Sequence, residues 1–144
     1  DGKIQPGRLG SLIANHELSA VTAACMLVRK EAFDSAIGFD EELKVGFGDV
    51  DLCLRIGKKG FRTLFCPHAV LIHHESASRG KSITDPHPED SALFLKKWEL
   101  FLLKTDPFFN PNYSPYNPAW QYKESMEFDP KIHMRVYKNP KIDL

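Results

Sequence analysis

The chain has 144 residues, with nineteen Lys and Arg against nineteen Asp and Glu, for a formal net charge of zero. That balance argues against a nucleic-acid surface or a polybasic membrane patch, so any grip on an anion must be local. The length suits one domain with a real core, and no apolar run approaches the roughly 18 residues of a membrane span.

Residues 1–20 begin without Met and open with the Gly- and Pro-bearing DGKIQPGRLG, which reads as the leading loop of a fragment cut from a longer protein. At 21–29, VTAACMLVR is a continuous apolar run with small residues at its start, the pattern of a buried strand. EAFDSA at 31–36 predicts a short helix, and Gly38-Phe39-Asp40 a turn after it. Over 49–59 the spacing predicts a firm helix: Val50, Cys53 and Leu54 follow i, i+3, i+4, acids open it, Lys58 and Lys59 close it, and Gly60 stops it. Residues 62–66 and 69–74 read as short strands separated by Pro67, and 83–88 as a Pro-broken loop. A second helix is predicted from 88 to 104, with Phe94, Trp98, Phe101 and Leu102 on one face to cap a core. From 105 to 144 the chain is rich in Pro, Asn and aromatics and reads as an extended tail.

Cys25, Cys53 and Cys66 are odd in number, sit in apolar runs and lack CxxC spacing. They fit small hydrophobes in a reducing, cytoplasmic setting better than a disulfide framework or a structural zinc.

Asp49 and Asp51 open the 49–59 helix about 200° apart around its axis, so they cannot both face one pocket. Asp51 has Arg55 one turn on, an i, i+4 ion pair with a structural role. Asp49 has no such cation. At the first position the helix dipole keeps it anionic, which suits a general base, while an N-cap is the plainer role for it. His73 and His74 close a predicted strand, where alternation lets only one of them face any given site. The ESASRG that follows offers Ser76, Ser78, Arg79 and backbone N–H groups near Gly80 as a phosphate cradle, beside an imidazole suited to manganese.

Taken in order, TAACMLVRKEAF, GFDEEL, GDVDLCLRIGKKGF, HHESASRG, KKWELFL and DPFFNPNYS resemble the C-terminal half of family 2 glycosyltransferases of the GT-A fold. The match runs from about Val21 to Tyr113. The resemblance implies an α/β fold, a mixed sheet with flanking helices that lacks the N-terminal nucleotide-binding half. It makes 21–104 the acceptor-side half of the transferase domain. It places the base of an inverting transfer on Asp49, a metal ligand on His73, donor diphosphate contacts on Ser78, Arg79 and Gly80, and the acceptor side near Asp40 and Glu41. Gly48 stands where the family usually has an acid.

The implied partners are a nucleotide-sugar donor and a saccharide or lipid-linked acceptor. The implied cofactor is Mn2+ or Mg2+, with most ligands outside these residues and the fragment inactive alone. The missing half leaves a sheet edge and an apolar face to be covered, which makes a homodimer or domain swap plausible. The rival expectation is a non-enzymatic module that binds saccharide or protein through Phe108, Phe109, Tyr113, Tyr116 and Trp120.

Overall fold

The structure, a computed structural model, describes residues 10–72, 85–104, 106–109 and 113. Its elements in chain order are β1 (His16–Leu18), a 3-10 turn (Ala23–Cys25), α1 (Lys30–Ser35), α2 (Gly48–Lys58), β2 (Thr63–Phe65) and α3 (Pro88–Leu102). β1 and β2 pair antiparallel, with His16 opposite Phe65 and Leu18 opposite Thr63. Arg62 beside the ladder reaches Glu17 at 2.8 Å.

The firm helix of the sequence is α2, and it is the centre of the molecule. One side of it, Leu52 and Ile56, packs on Ala32 and Ala36 of α1, with Met26, Val28, Phe33 and Phe61 around them. Another side sets Leu54 against Leu43 and against Phe94 and Trp98 of α3. A helix buried on two sides by two helices is held by packing more than by propensity. Its end is also well specified. Gly60 at φ 88 lets its N–H reach Gly57 at 2.9 Å while the Phe61 N–H reaches Ile56 at 3.4 Å, a Schellman stop in which Phe61 also joins the Ile56 cluster.

α1 ends by the same motif with a different residue at its left-handed position. The Gly38 N–H bonds Phe33 at 2.9 Å and the Ile37 N–H bonds Asp34 at 3.0 Å, so the residue forced to positive φ is Ile37, at 64°. A β-branched side chain there is strained.

Two expected strands are corrected. Within 21–29, Ala23–Cys25 form a 3-10 turn whose N-cap Thr22 accepts the Ala24 N–H. Met26 is extended, but 26–29 find no partner strand among the described residues, and Leu27 stands fully exposed. The apolar run was right for extended backbone and wrong for a ladder, because a ladder needs a neighbour the local pattern does not supply. In the second strand, 69–72 carry no regular structure, and Val70, Leu71 and Ile72 are exposed; His73 and His74 lie outside the described residues. β1 falls within the expected leading loop, where three residues are too few to show an alternating pattern. The sheet of the described residues is therefore two antiparallel strands rather than a mixed sheet.

Past α3, Ser19 donates to Asp106 at 2.8 Å, and the same carboxylate receives the Phe108 N–H at 2.9 Å. Tyr113 is buried. All three cysteines are free, Cys53 buried and the other two exposed. No helix among the described residues is long and apolar enough to cross a membrane.

Candidate functional site

The N-terminus of α2 is built by three separate devices. The loop entering it is held by Asp90 in the first turn of α3, whose carboxylate accepts N–H bonds from Lys44 at 3.3 Å, Val45 at 2.8 Å and Gly46 at 2.6 Å. Those bonds, from Gly46 and Val45 first, hold the Asp90 carboxyl below the usual carboxylate range. The backbone of Gly46 runs close to the start of α3, where a Cβ would meet the Cβ atoms of Asp90 and His87 at 3.4 Å. Phe47 then takes φ 62 as the helix N-cap, and its ring stacks on Phe94 at 4.7 Å and 15°. Sequence reasoning missed Asp90, which reads there only as one more acid in a first helical turn.

Asp49 follows on the first turn and is half-buried. Its Oδ2 accepts the Ala23 N–H at 3.0 Å and its Oδ1 the Val50 N–H at 2.9 Å. The carboxylate thus ties the 3-10 turn to α2, a contact between distant segments that spacing along the chain does not reveal. Its partner Ala23 also lines a hollow of about 480 Å³, together with Met26, Leu27, Phe33, Phe39 and Leu52 among others, whereas Asp49 itself is not part of that lining. Phe39 forms the wall nearest the helix start: a Cβ on Gly48 would sit 3.7 Å from its ring.

Asp51 points the other way, into the protein, with no exposed surface. Its Oδ1 receives Lys97 Nζ at 2.7 Å and Trp98 Nε1 at 2.8 Å, and its Oδ2 receives Arg55 Nε at 2.7 Å. Burial works against its charge, but the bonds from Lys97, Trp98 and Arg55 prevail and hold its carboxyl below the ordinary value. Arg55 also donates to the Ala36 carbonyl at the end of α1. Lys97 also reaches Asp40 Oδ2 at 2.5 Å. Asp40 in turn accepts the Glu42 N–H at 2.9 Å, and Lys97 first, then that N–H, lower its pKa. Burial opposes the charge on Lys97, and its two carboxylates more than offset it, so its pKa is raised. Glu41 is exposed.

The structure brings Asp40, Asp51 and Arg55 into one network and leaves Asp49 apart from it, bonded to Ala23, which lines the hollow. His73, Ser78, Arg79 and Gly80 lie outside the described residues, as does any convergence of His73 with Asp49. Among the described residues no three His, Cys, Asp or Glu side chains form a group able to hold a metal ion.

No family model matches the chain, and no solved structure matches it. Among curated proteins it is 44% identical over 100 residues, 67% of its length, to the uncharacterized protein y4gI of Sinorhizobium fredii. It is 42% identical over 95 residues, 65% of its length, to the O-antigen biosynthesis protein RfbC of Myxococcus xanthus. It is 36% identical over 78 residues, 52% of its length, to an N-acetylglucosaminyl-diphospho-decaprenol L-rhamnosyltransferase of Mycobacterium tuberculosis. The chain spans only 11%, 7% and 25% of the lengths of these three relatives.

Proposed function

We propose that this chain is the acceptor-side part of a family 2 glycosyltransferase of the GT-A fold. The whole protein would move a sugar from a nucleotide-sugar donor to a hydroxyl of a saccharide or lipid-linked acceptor, with inversion. The likeness to a protein named for O-antigen biosynthesis and to an L-rhamnosyltransferase supports this reading. The observation that carries it is the contrast between two acids on one helix. Asp51 is bonded to three side chains inside the protein, whereas Asp49 stands half-buried at the helix start, bonded to Ala23 of the hollow's lining.

In the proposed reaction the acceptor hydroxyl oxygen attacks the anomeric carbon of the donor sugar. A new carbon–oxygen bond forms, the bond to the nucleoside diphosphate breaks, and the hydroxyl proton passes to the Asp49 carboxylate. The carboxylate stands in the first turn of α2, at the positive end of the helix. The N–H bonds from Ala23 and Val50 fix its direction. On the family resemblance alone, His73 would be one ligand of a divalent cation and Ser78, Arg79 and Gly80 would face the donor diphosphate. Such a cation supplies charge neutralisation of the leaving group when bound.

The test is Asp49→Asn in the full-length protein, assayed with nucleotide-activated L-rhamnose and an N-acetylglucosaminyl-diphospho-polyprenol as the first donor and acceptor pair. Loss of a general base should lower kcat by roughly a hundredfold or more while donor binding is retained. Transfer near the wild-type rate would remove Asp49 as the base. For the metal assignment, His73→Ala should alter the manganese dependence of transfer, and an unaltered dependence would remove that ligand.

A further inference from the structure

We propose that Lys97 is a positioning residue for acceptor binding, acting through the loop that walls the hollow lined by Ala23, the partner of Asp49. The inference rests on the reading of Asp49 as the base: if that carboxylate takes the acceptor proton, the molecule that fills the hollow lined by its partner Ala23 is the acceptor.

Three observations join Lys97 to that wall. Its ammonium, on α3, lies between Asp51 of α2 at 2.7 Å and Asp40 of the 37–41 loop at 2.5 Å. The loop it holds starts at a strained residue, Ile37 at φ 64, kept there by the backbone bonds that end α1 and not by packing, since its side chain is 89% exposed. Finally, the loop carries Phe39, which lines the hollow and lies against Gly48, the residue before Asp49.

The loop is clamped at both ends from one carboxylate. Arg55, bound to Asp51, holds the Ala36 carbonyl where α1 ends, and Lys97, bound to the same Asp51, holds Asp40 three residues after Ile37. Without the second arm, the loop is held only at its start, by the bonds of Ile37 and Gly38 that end α1, and Phe39 moves with the released end. Asp49 is untouched by this change, because its two partners are Ala23 and Val50. The reacting group stays in place while the surface that receives the acceptor shifts, so the effect falls on acceptor KM rather than on kcat or donor binding.

The experiment uses the full-length protein and the donor and acceptor pair named above. Lys97→Met removes the bridging charge, and Asp40→Asn removes the charge at the other end of the same link while leaving all three donors of Asp51 in place, which keeps the test usable if the first variant fails to fold. Each variant should raise acceptor KM about tenfold with kcat within about threefold. The double variant should be no worse than either single one, Lys97→Arg should restore most of the loss, and Lys96→Met, at an exposed neighbour, should have no effect. Hydrogen exchange of the 37–42 amides should speed up in Asp40→Asn. Unchanged acceptor KM in a folded Asp40→Asn protein, or equal losses in kcat, donor KM and acceptor KM, would overturn the positioning role. If the wild-type protein transfers no sugar to any acceptor, the functional reading fails, and hydrogen exchange still decides whether Lys97 holds the loop: exchange unchanged in Asp40→Asn would refute the clamp.

Discussion

Replacing Asp51 with Asn should cost far more stability than replacing Asp49 with Asn, although the two acids stand two residues apart on one helix. Asp51 is fully buried and receives Lys97, Trp98 and Arg55 within 2.8 Å. The amide keeps the shape but removes the charge that balances two cations, and its NH2 group meets a donor instead of an acceptor. Breaking a fully buried pair from one side costs about 3–5 kcal/mol. Here the cation side chains retain 20% and 31% exposure, so water recovers part of that, and about 2–4 kcal/mol is the expected loss. Asp49→Asn keeps an oxygen for the Ala23 N–H but loses the half-exposed bond from the Val50 N–H and the interaction with the helix dipole, about 0.5–1.5 kcal/mol in all. Urea unfolding followed by circular dichroism, with an unchanged slope, reads both numbers. A loss below about 1 kcal/mol for Asp51→Asn, or equal losses for the two variants, would refute the division of the two acids into one structural and one free for chemistry.

Ile37→Gly should stabilise the protein. Relief of the left-handed strain gives about 1–2 kcal/mol, and the added freedom of glycine in the unfolded chain returns about 0.4–1 kcal/mol, leaving a gain near 0.5–1 kcal/mol; Ile37→Val, equally β-branched, should give none, and a thermal melt separates the two. Stability against pH should form a plateau with two edges. Asp40, Asp51 and Asp90 have folded pKa values below 3.8, so their contribution is complete above 3.8 and is lost as the pH falls through those lowered values. Lys97 is raised above 10.5, so its contribution is complete below 10.5 and is lost as the pH rises through its folded value. Urea midpoints measured across both edges check this, and Asp40→Asn should flatten part of each edge, since it removes one acid and one partner of Lys97.

The parts of the fold that were legible in the sequence are those decided by local chemistry. α2 could be read from its apolar spacing, its opening acids and Gly60 because each of those acts within one or two turns. α3 was legible for the same reason, with Phe94 and Trp98 one turn apart. The 21–29 run misled because a strand is defined by its neighbour: Met26 and its successors are extended, but nothing in the run states whether another strand lies alongside. Asp90 was invisible because its three N–H donors come from residues more than forty positions away. At the site, the i, i+4 pairing of Asp51 with Arg55 could be read from spacing, whereas Lys97 and Trp98, which complete the Asp51 network, belong to another helix. The Ala23 contact of Asp49 was hidden in the same way.

Those long-range contacts also explain why the motif series resembles a family so specifically while so little of it is free for chemistry. GFDE supplies Asp40, GDVDLCLR supplies Asp51 and Arg55, and KKW supplies Lys97 and Trp98, and all five meet around one buried carboxylate. DPFF supplies Asp106, which fastens the segment after α3 to Ser19. A change at any of the five positions around Asp51 weakens that network, so those pieces depend on one another through contacts that span up to 57 residues. Such a set marks a scaffold. By itself it says that the loop, α2 and α3 are held in one arrangement, and it is equally compatible with an enzyme and with a binding module. Asp49 lies outside that network, with only the backbone N–H groups of Ala23 and Val50 on its carboxylate. Of the rings of the rival reading that are described, Tyr113 is buried, Phe109 half-buried and Phe108 exposed, so they do not separate packing from binding. The discriminating power therefore lies in one carboxylate: a protein that binds saccharide without transferring it would tolerate Asp49→Asn with its affinity intact and would have no activity to lose, whereas a transferase would keep its fold and its donor affinity and lose the reaction.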